Sequence, residues 1–376
     1  MQIQELYYAD GEWQCDKSDM LDPATVDLVL LFGDVTAFDE SLHLDYMQSH
    51  FPTAHVVGAS TAGTIENGHF SDHTMVATAI AFDKATVEVA AIEGLDNDNL
   101  EAKSKELIEQ LPQEGLKHVF LLMDGIQLNG SLVARGVNSV NKTLCVTGGL
   151  AGDRYKFKRT VVMADGMAKE RQIVAIGLYG DSLSISVGCE AGWDEFGAER
   201  VVTRSEGNVV YEIDNKPALK LYEDYLGEYL KDLPTSGLRF PLNIREYDGD
   251  KEVVRVMMHV NADKSLLFAG DVPQGSTVRL MKTNVNNLIK GSELVSGLIT
   301  QHNAKRALAL TVSCSGRQSV LKQLVDEELN VIQETLGEQV HIGGFYSYGE
   351  LAPFSDNLSD CKLHNQSLTL TVIYED

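Results

Sequence analysis

The chain has 376 residues, 44% of them apolar and 23% charged, with 32 Gly and only 8 Pro, a composition that excludes disorder and collagen-like repeats. This length suits two domains, each able to bury its own core. With 55 acidic residues against 31 basic ones, the net charge of −24 argues against a nucleic-acid backbone or an anionic membrane as a general partner.

The apolar run Val26 to Phe32 reads as a strand buried on both faces. SLHLDYMQSHF follows as an amphipathic helix and Ala54 to Ser60 as a second strand, completing a β-α-β unit. MVATAIAF and ATVEVAAI flank Asp83 and Lys84 as an antiparallel hairpin would. Leu100, Leu107, Ile108 and Leu111 share a helix face, and HVFLLMDG is another buried strand. From Thr160 to Ile213 the pattern changes to short strands between Gly, Asp and Asn turns, with no helix. Asn215 and Pro217 then open a helix with a face of Ala218, Tyr222, Tyr225, Leu226 and Tyr229. We place the domain boundary there, giving domains 1–213 and 214–376. The second half continues with strands VVRVMMHV, TVRLMK and ALALTVSC. A long helix follows from about Ser319, striped by Val320, Leu321, Leu324, Val325, Val331, Ile332 and Leu336, and strands HIGGFYSYG and SLTLTVIY close the chain. The fold class expected is α/β to α+β, two domains each with a mixed sheet flanked by helices. No fixed-period repeat is visible.

No run of about 18 apolar residues occurs, and the start MQIQELYYADGEWQCDKSDM lacks the order of a signal peptide. We expect a cytoplasmic chain without membrane insertion. Its cysteines, at 15, 145, 189, 314 and 361, never form C-x-x-C and read as reduced thiols.

Three strand ends rich in glycine stand out: Gly58 to Gly63, Gly148 to Asp153, and Gly343 to Glu350. Neither of the first two is a dinucleotide or P-loop motif. In ALALTVSCSGRQSVLKQL a strand ends at Cys314 and a helix starts beyond Gly316, which sets Arg317 where a guanidinium fork can hold a carboxylate. The alternative reading is an Arg paired to a structural acid. His69 and His73 have metal-pair spacing, but their neighbours Gly68, Ser71 and Asp72 read as a loop. Gly58-Ala59-Ser60-Thr61-Ala62 has Ala where a serine-nucleophile elbow needs its second Gly, so no catalytic residue is assigned.

Taken in order, GASTAGTI, GGLAGD, Gly192-Trp193, EIDNKPALKLYEDYLG, SCSGR, GGFYSYGELAP and LHNQS resemble the FIST sensory proteins, built of a FIST N and a FIST C domain, over about residues 26 to 370. Ala59 stands where that family often has Cys, and Thr64 where an acidic residue is common. The resemblance implies a non-enzymatic input module for small ligands, with amino acids proposed. In that version Arg317 holds the carboxylate, Glu350 or Asp153 meets the ammonium, and Ser60, Thr61, Tyr346 and Tyr348 complete the ligand-binding set, the two tyrosines sharing one strand face by alternation. A stand-alone subset of the family, the nitric-oxide-sensing haemoproteins of the NosP type, is similar in length. It implies haem b, a partner histidine kinase and two-component signalling. His364 is then the first haem-ligand candidate, with His259 and His341 behind it. The rival of another class is a hydrolase or transferase acting on a small acid through Ser60, Cys314 or a carboxylate.

Overall fold

The computed structural model describes residues 1–15, 20–71, 73–233, 235–246, 249, 251–302, 304, 306–355 and 357–376. Mixed sheets flanked by helices are observed, as the patterning predicts. Three of the four sheets share one plan. Each is built on a parallel strand pair joined by helical chain: Leu28–Gly33 with His55–Ser60, Leu116–Met123 with Cys145–Leu150, and Ala307–Cys314 with Val340–Ser347. In each, the first strand of the pair also takes an antiparallel neighbour: Met75–Ala81, Ile173–Tyr179 and Leu368–Glu375 respectively.

The strand on the other side of each pair comes from a different unit. Gly63–Glu66, which follows the first pair, joins the sheet of the third. Glu350–Phe354, which follows the third pair, joins the second, and Val162–Ala164, after the second, joins the first. The repetition is therefore cyclic and topological, which a search for fixed sequence periods does not detect. Strands from the two halves of the chain share sheets, and residues 213/214 fall at a tight turn between the paired strands Val209–Ile213 and Lys216–Pro217. Asp214 and Asn215 carry that turn with φ of 51° and 58°.

Alternation along the strands explains the layers. Leu28, Leu30 and Phe32, together with Phe120, Leu122, Leu308, Leu310 and Val312, turn inward to one core shared by the three sheets. Their neighbours Val29 and Leu31 face the Leu42–His50 helix side. Val119, Leu121, Ala307 and Ala309 face a core that includes residues of the helices Leu100–Gln110, Gly130–Asn138, Val285–Gly297 and Val325–Leu336. The fourth sheet is antiparallel and eight-stranded, with the long strand Asp194–Glu206 pairing with Thr277–Lys282 and with Val209–Ile213.

Several expected elements differ. Met75–Ala81 and Thr86–Ile92 are not a hairpin but lie in different sheets. Between them the Glu375 carboxylate accepts the N–H groups of Asp83, Lys84 and Ala85 at 2.7–2.8 Å and holds the chain in a crossing turn. The long C-terminal helix is broken: Ser315–Leu321 ends at Lys322, whose φ of 53° and ψ of −118° are not those of an α-helix, a single 3-10 turn spans Lys322–Leu324, and Val325–Leu336 starts afresh. Glu252–Arg255 and Met257–Val260 are separate strands on the two arms of the fourth sheet. The Gly130–Asn138 helix, capped by the Asn129 side chain, was not expected from the sequence. Among the described residues, no helix is long and apolar enough to cross a membrane.

Candidate functional site

The loops that leave the strands of the second and third units meet the fourth sheet around a cavity of about 360 Å³. Its walls are largely apolar: Leu128, Leu150, Phe157, Met258, Phe268 and Leu363 all line it. Cys314, Ser315 and Gly316 close one side and Gly125 to Gly130 another. Asp124 shapes the latter loop, its carboxylate accepting the N–H groups of Ile126 and Gln127 at 2.9 and 3.0 Å. Asn365 and Gln366 add polar groups to the lining from the turn before the last strand.

Gln366 is fully buried in a left-handed conformation with φ of 62°. Its Nε2 donates to the Leu238 carbonyl at 2.8 Å, whereas its Oε1 has no hydrogen-bond partner among the described residues. A Cβ at position 316 would sit 2.2 Å from that Oε1, so only glycine there admits the amide. The LHNQS stretch contains this residue, yet periodicity gave no reason to single it out, because the close approach depends on a segment distant in sequence.

Of the ligand-binding residues expected, Tyr348 alone lines this cavity. Its ring stacks on Phe157 with centroids 4.8 Å apart, and its hydroxyl donates to Asp153. Asp153 is buried beneath the 153–159 loop, where its carboxylate accepts the N–H groups of Phe157, Lys158 and Arg159 at 2.7–3.1 Å. The Ser60 hydroxyl oxygen accepts the Val161 N–H at 3.0 Å, and the Thr61 hydroxyl faces the Gly33 carbonyl at 3.4 Å, both away from the cavity.

Arg317 also lies elsewhere, with a fully buried side chain whose guanidinium forms an ion pair with Glu328 at 2.5 Å. Its remaining donors meet the carbonyls of Ala191 and Leu288 and the Ser292 hydroxyl. The fork is thus filled by a structural acid and not by a ligand carboxylate. The Tyr346 hydroxyl donates to the other oxygen of the same carboxylate at 3.0 Å. Tyr346 and Tyr348 therefore do not share a face: the strand ends at Ser347, and alternation ends with it.

Glu350 is buried behind Cys314 and accepts hydrogen bonds from Ser347 Oγ at 2.5 Å and Ser367 Oγ at 2.7 Å. Burial pushes its carboxyl up to about 7 against those bonds. The Cys314 thiol, raised by burial and then by the neighbouring Glu350 charge, is far from the reactive thiolate form.

The three imidazoles considered for haem separate clearly. His364 is buried with Nε2 3.1 Å from the Ala352 carbonyl, and burial lowers it to about 4. The His341 Nε2 contacts the Glu5 carboxylate. His259, exposed on Met257–Val260, lines the cavity. His69 lies on the short strand His69–Ser71, while His73 Nδ1 meets Glu66 at 2.7 Å, an arrangement unlike a helical metal pair.

A FIST N domain model matches residues 27–216 and a FIST C domain model residues 218–353. An uncharacterized protein of Methanocaldococcus jannaschii is 24% identical over 357 residues, covering 84% of this chain and 68% of that protein. Among solved structures, cyanuric acid hydrolase from A. caulinodans is matched over 100% of this chain and 98% of its own at a TM-score of 0.39 and 8% identity, a likeness too loose to carry an argument.

Proposed function

The chain belongs to the FIST family of small-ligand-sensing proteins, and we propose that it is a non-enzymatic sensor whose ligand occupies the cavity around Gln366 and biases contact with a partner histidine kinase. The observation that carries this reading is the mostly apolar cavity with Gln366 in its wall, a residue whose buried Oε1 has no hydrogen-bond partner among the described residues. An unsatisfied buried acceptor costs about 1–3 kcal/mol, and a ligand that brings an N–H or O–H donor removes that cost. The lining comes from segments within both matched domains and from the turn beyond them, so an occupant favours one arrangement of these segments over others. Among the described residues, no acidic or guanidinium side chain lines the cavity, and Arg317 is committed to Glu328. This favours an uncharged, largely apolar ligand with one donor over an amino acid.

The position of His259 on the wall favours a second reading, in which the ligand is haem b with nitric oxide as its signal. The protein would offer His259 as the axial imidazole and Leu150, Phe268 and Leu363 as apolar enclosure. When bound, the haem would supply the iron to which nitric oxide binds. His364 is not assigned this role, since its Nε2 faces a backbone carbonyl.

The test is an absorbance titration of the purified chain with haemin, in the wild type and in the His259→Ala and His364→Ala variants. A saturable Soret band that shifts with nitric oxide, is lost in His259→Ala and survives in His364→Ala supports the haem reading. A spectrum of free haemin throughout removes it. A thermal-shift screen of uncharged hydrogen-bond donors then tests the first reading, which fails if Gln366→Leu leaves every observed shift unchanged. Autophosphorylation of the kinase, with and without the ligand-loaded chain, tests the output.

A further inference from the structure

Beside the cavity just described lies a wider one of about 650 Å³, sharing Phe157, Leu238 and Met258 with it. Its further lining is Tyr155, Met257, Gln318, Ser319 and Lys322. We propose that this second cavity binds an aromatic monocarboxylate, its ring against the Tyr155, Phe157 and methionine surface and its carboxylate on the Lys322 ammonium. The proposal goes beyond the sensor reading, which uses neither Lys322 nor this cavity.

Three observations converge on it. The volume lies within the range of small-molecule sites, and the walls are those that suit a flat apolar body. Met257 and Met258 present polarizable side chains that adapt to aromatic edges, and Tyr155 is fixed with its hydroxyl 2.5 Å from the Ser315 carbonyl and 2.8 Å from Gln318 Oε1. Secondly, Lys322 is the cation of this lining and is exposed, with no ion pair among the described residues. Thirdly, Lys322 has φ of 53° and ψ of −118°, a region that residues with a side chain rarely adopt. Glycine would make the same break between helices without strain, so the side chain itself needs an account, and strained residues gather at ligand clamps. Lys156 and Lys158, exposed on the loop that contributes Tyr155 and Phe157, add positive charge to that loop.

The experiment is isothermal titration of the full chain with 2-naphthoate and with its uncharged counterpart 2-naphthamide, in the wild type, Lys322→Gln and Ser319→Trp, each checked for folding by circular dichroism. One-to-one binding of 2-naphthoate is expected, weakened at least tenfold in Lys322→Gln and abolished in Ser319→Trp, which fills this cavity alone. Naphthamide affinity should change less than twofold in Lys322→Gln. Absence of saturable naphthoate binding, an affinity unchanged in Lys322→Gln, or full binding in Ser319→Trp overturns the assignment. None of these outcomes depends on His259 or Gln366.

Discussion

The Ala62 N–H donates to the Tyr346 carbonyl at 2.8 Å, joining the end of the first strand pair to the end of the third. Two equivalent bonds complete a ring: Gly152 N–H to the Ser60 carbonyl at 2.8 Å and Tyr348 N–H to the Leu150 carbonyl at 3.1 Å. Each unit thus accepts from one neighbour and donates to the other. The ring sits where the three Gly-rich strand ends converge, which explains why these stretches are rich in glycine without forming a phosphate loop.

The glycines of those strands test the packing directly. Gly344 has φ of 148°, and a Cβ there would lie 1.9 Å from the Thr311 carbonyl oxygen; Gly148, with φ of 157°, would meet the Leu121 oxygen at 2.1 Å. These contacts are with backbone on the paired strand and cannot relax by a rotamer change. Gly344→Ala is expected to cost more than about 4 kcal/mol and to yield insoluble or unfolded chain. Gly297→Ala, at a helix end with nothing within 4 Å, should be neutral or raise the melting temperature slightly. Equal melting temperatures for both variants would contradict the close approach.

The buried Arg317–Glu328 pair predicts a non-additive cycle. Arg317→Met leaves the Glu328 carboxylate buried with only the hydroxyls of Ser292, Ser313 and Tyr346, which should cost about 3–5 kcal/mol. Arg317→Met with Glu328→Met removes both charges and should recover most of that loss. Denaturant unfolding of the four chains measures it, and additive losses would refute the structural role of the pair.

The fold class was readable because the buried strands are near-continuous apolar runs, such as Val26 to Phe32, and these need no knowledge of their neighbours. Partner choice was not readable. Met75–Ala81 looked like half of a hairpin, since the Glu375 carboxylate that turns the chain away comes from the last strand. The same limit applied to the site. Arg317 was correctly placed beyond a strand end, but Glu328, one helix later, decides what it binds, and nothing in local spacing reveals that the helix breaks at Lys322. The stretches around Tyr348 and Gln366 were noted as motifs, whereas the cavity between them exists only once the third unit meets the second.

Stability should also carry two opposed titrations. Burial raises Glu350 to about 7, so the folded state favours its protonated form. The associated stability is complete below the unfolded value of about 4.5 and is lost as pH rises through 7. Burial lowers His118 to about 3 and His364 to about 4, so their contribution is present above the unfolded value of about 6.5 and is lost as pH falls toward 4. Glu350→Gln should therefore stabilise the chain at pH 8, by about 2–3 kcal/mol at most, and do little at pH 4.5. Thermal melts of both chains across pH 4.5–8 give the comparison, and a constant difference would rule out this assignment.

The 153–159 loop separates the two cavities through Phe157, and its order depends on one carboxylate. Arg154, Tyr155 and Phe157 all have positive φ, at 53°, 63° and 49°, so the loop holds a conformation disfavoured at three side-chain-bearing positions. Asp153 compensates by accepting three backbone N–H groups of the loop and the Tyr348 hydroxyl. Asp153→Ala removes all four bonds at once and should cost about 3 kcal/mol, whereas Tyr348→Phe removes one and should cost about 1 kcal/mol. Because the strain is confined to the loop, the loss should be local as well as global. Backbone amides of Phe157, Lys158 and Arg159 should exchange with deuterium far faster in Asp153→Ala, while exchange in the Ala307–Cys314 strand quickens only in proportion to the loss of overall stability. If exchange in the loop and the strand rises equally, Asp153 supports the core and not this wall.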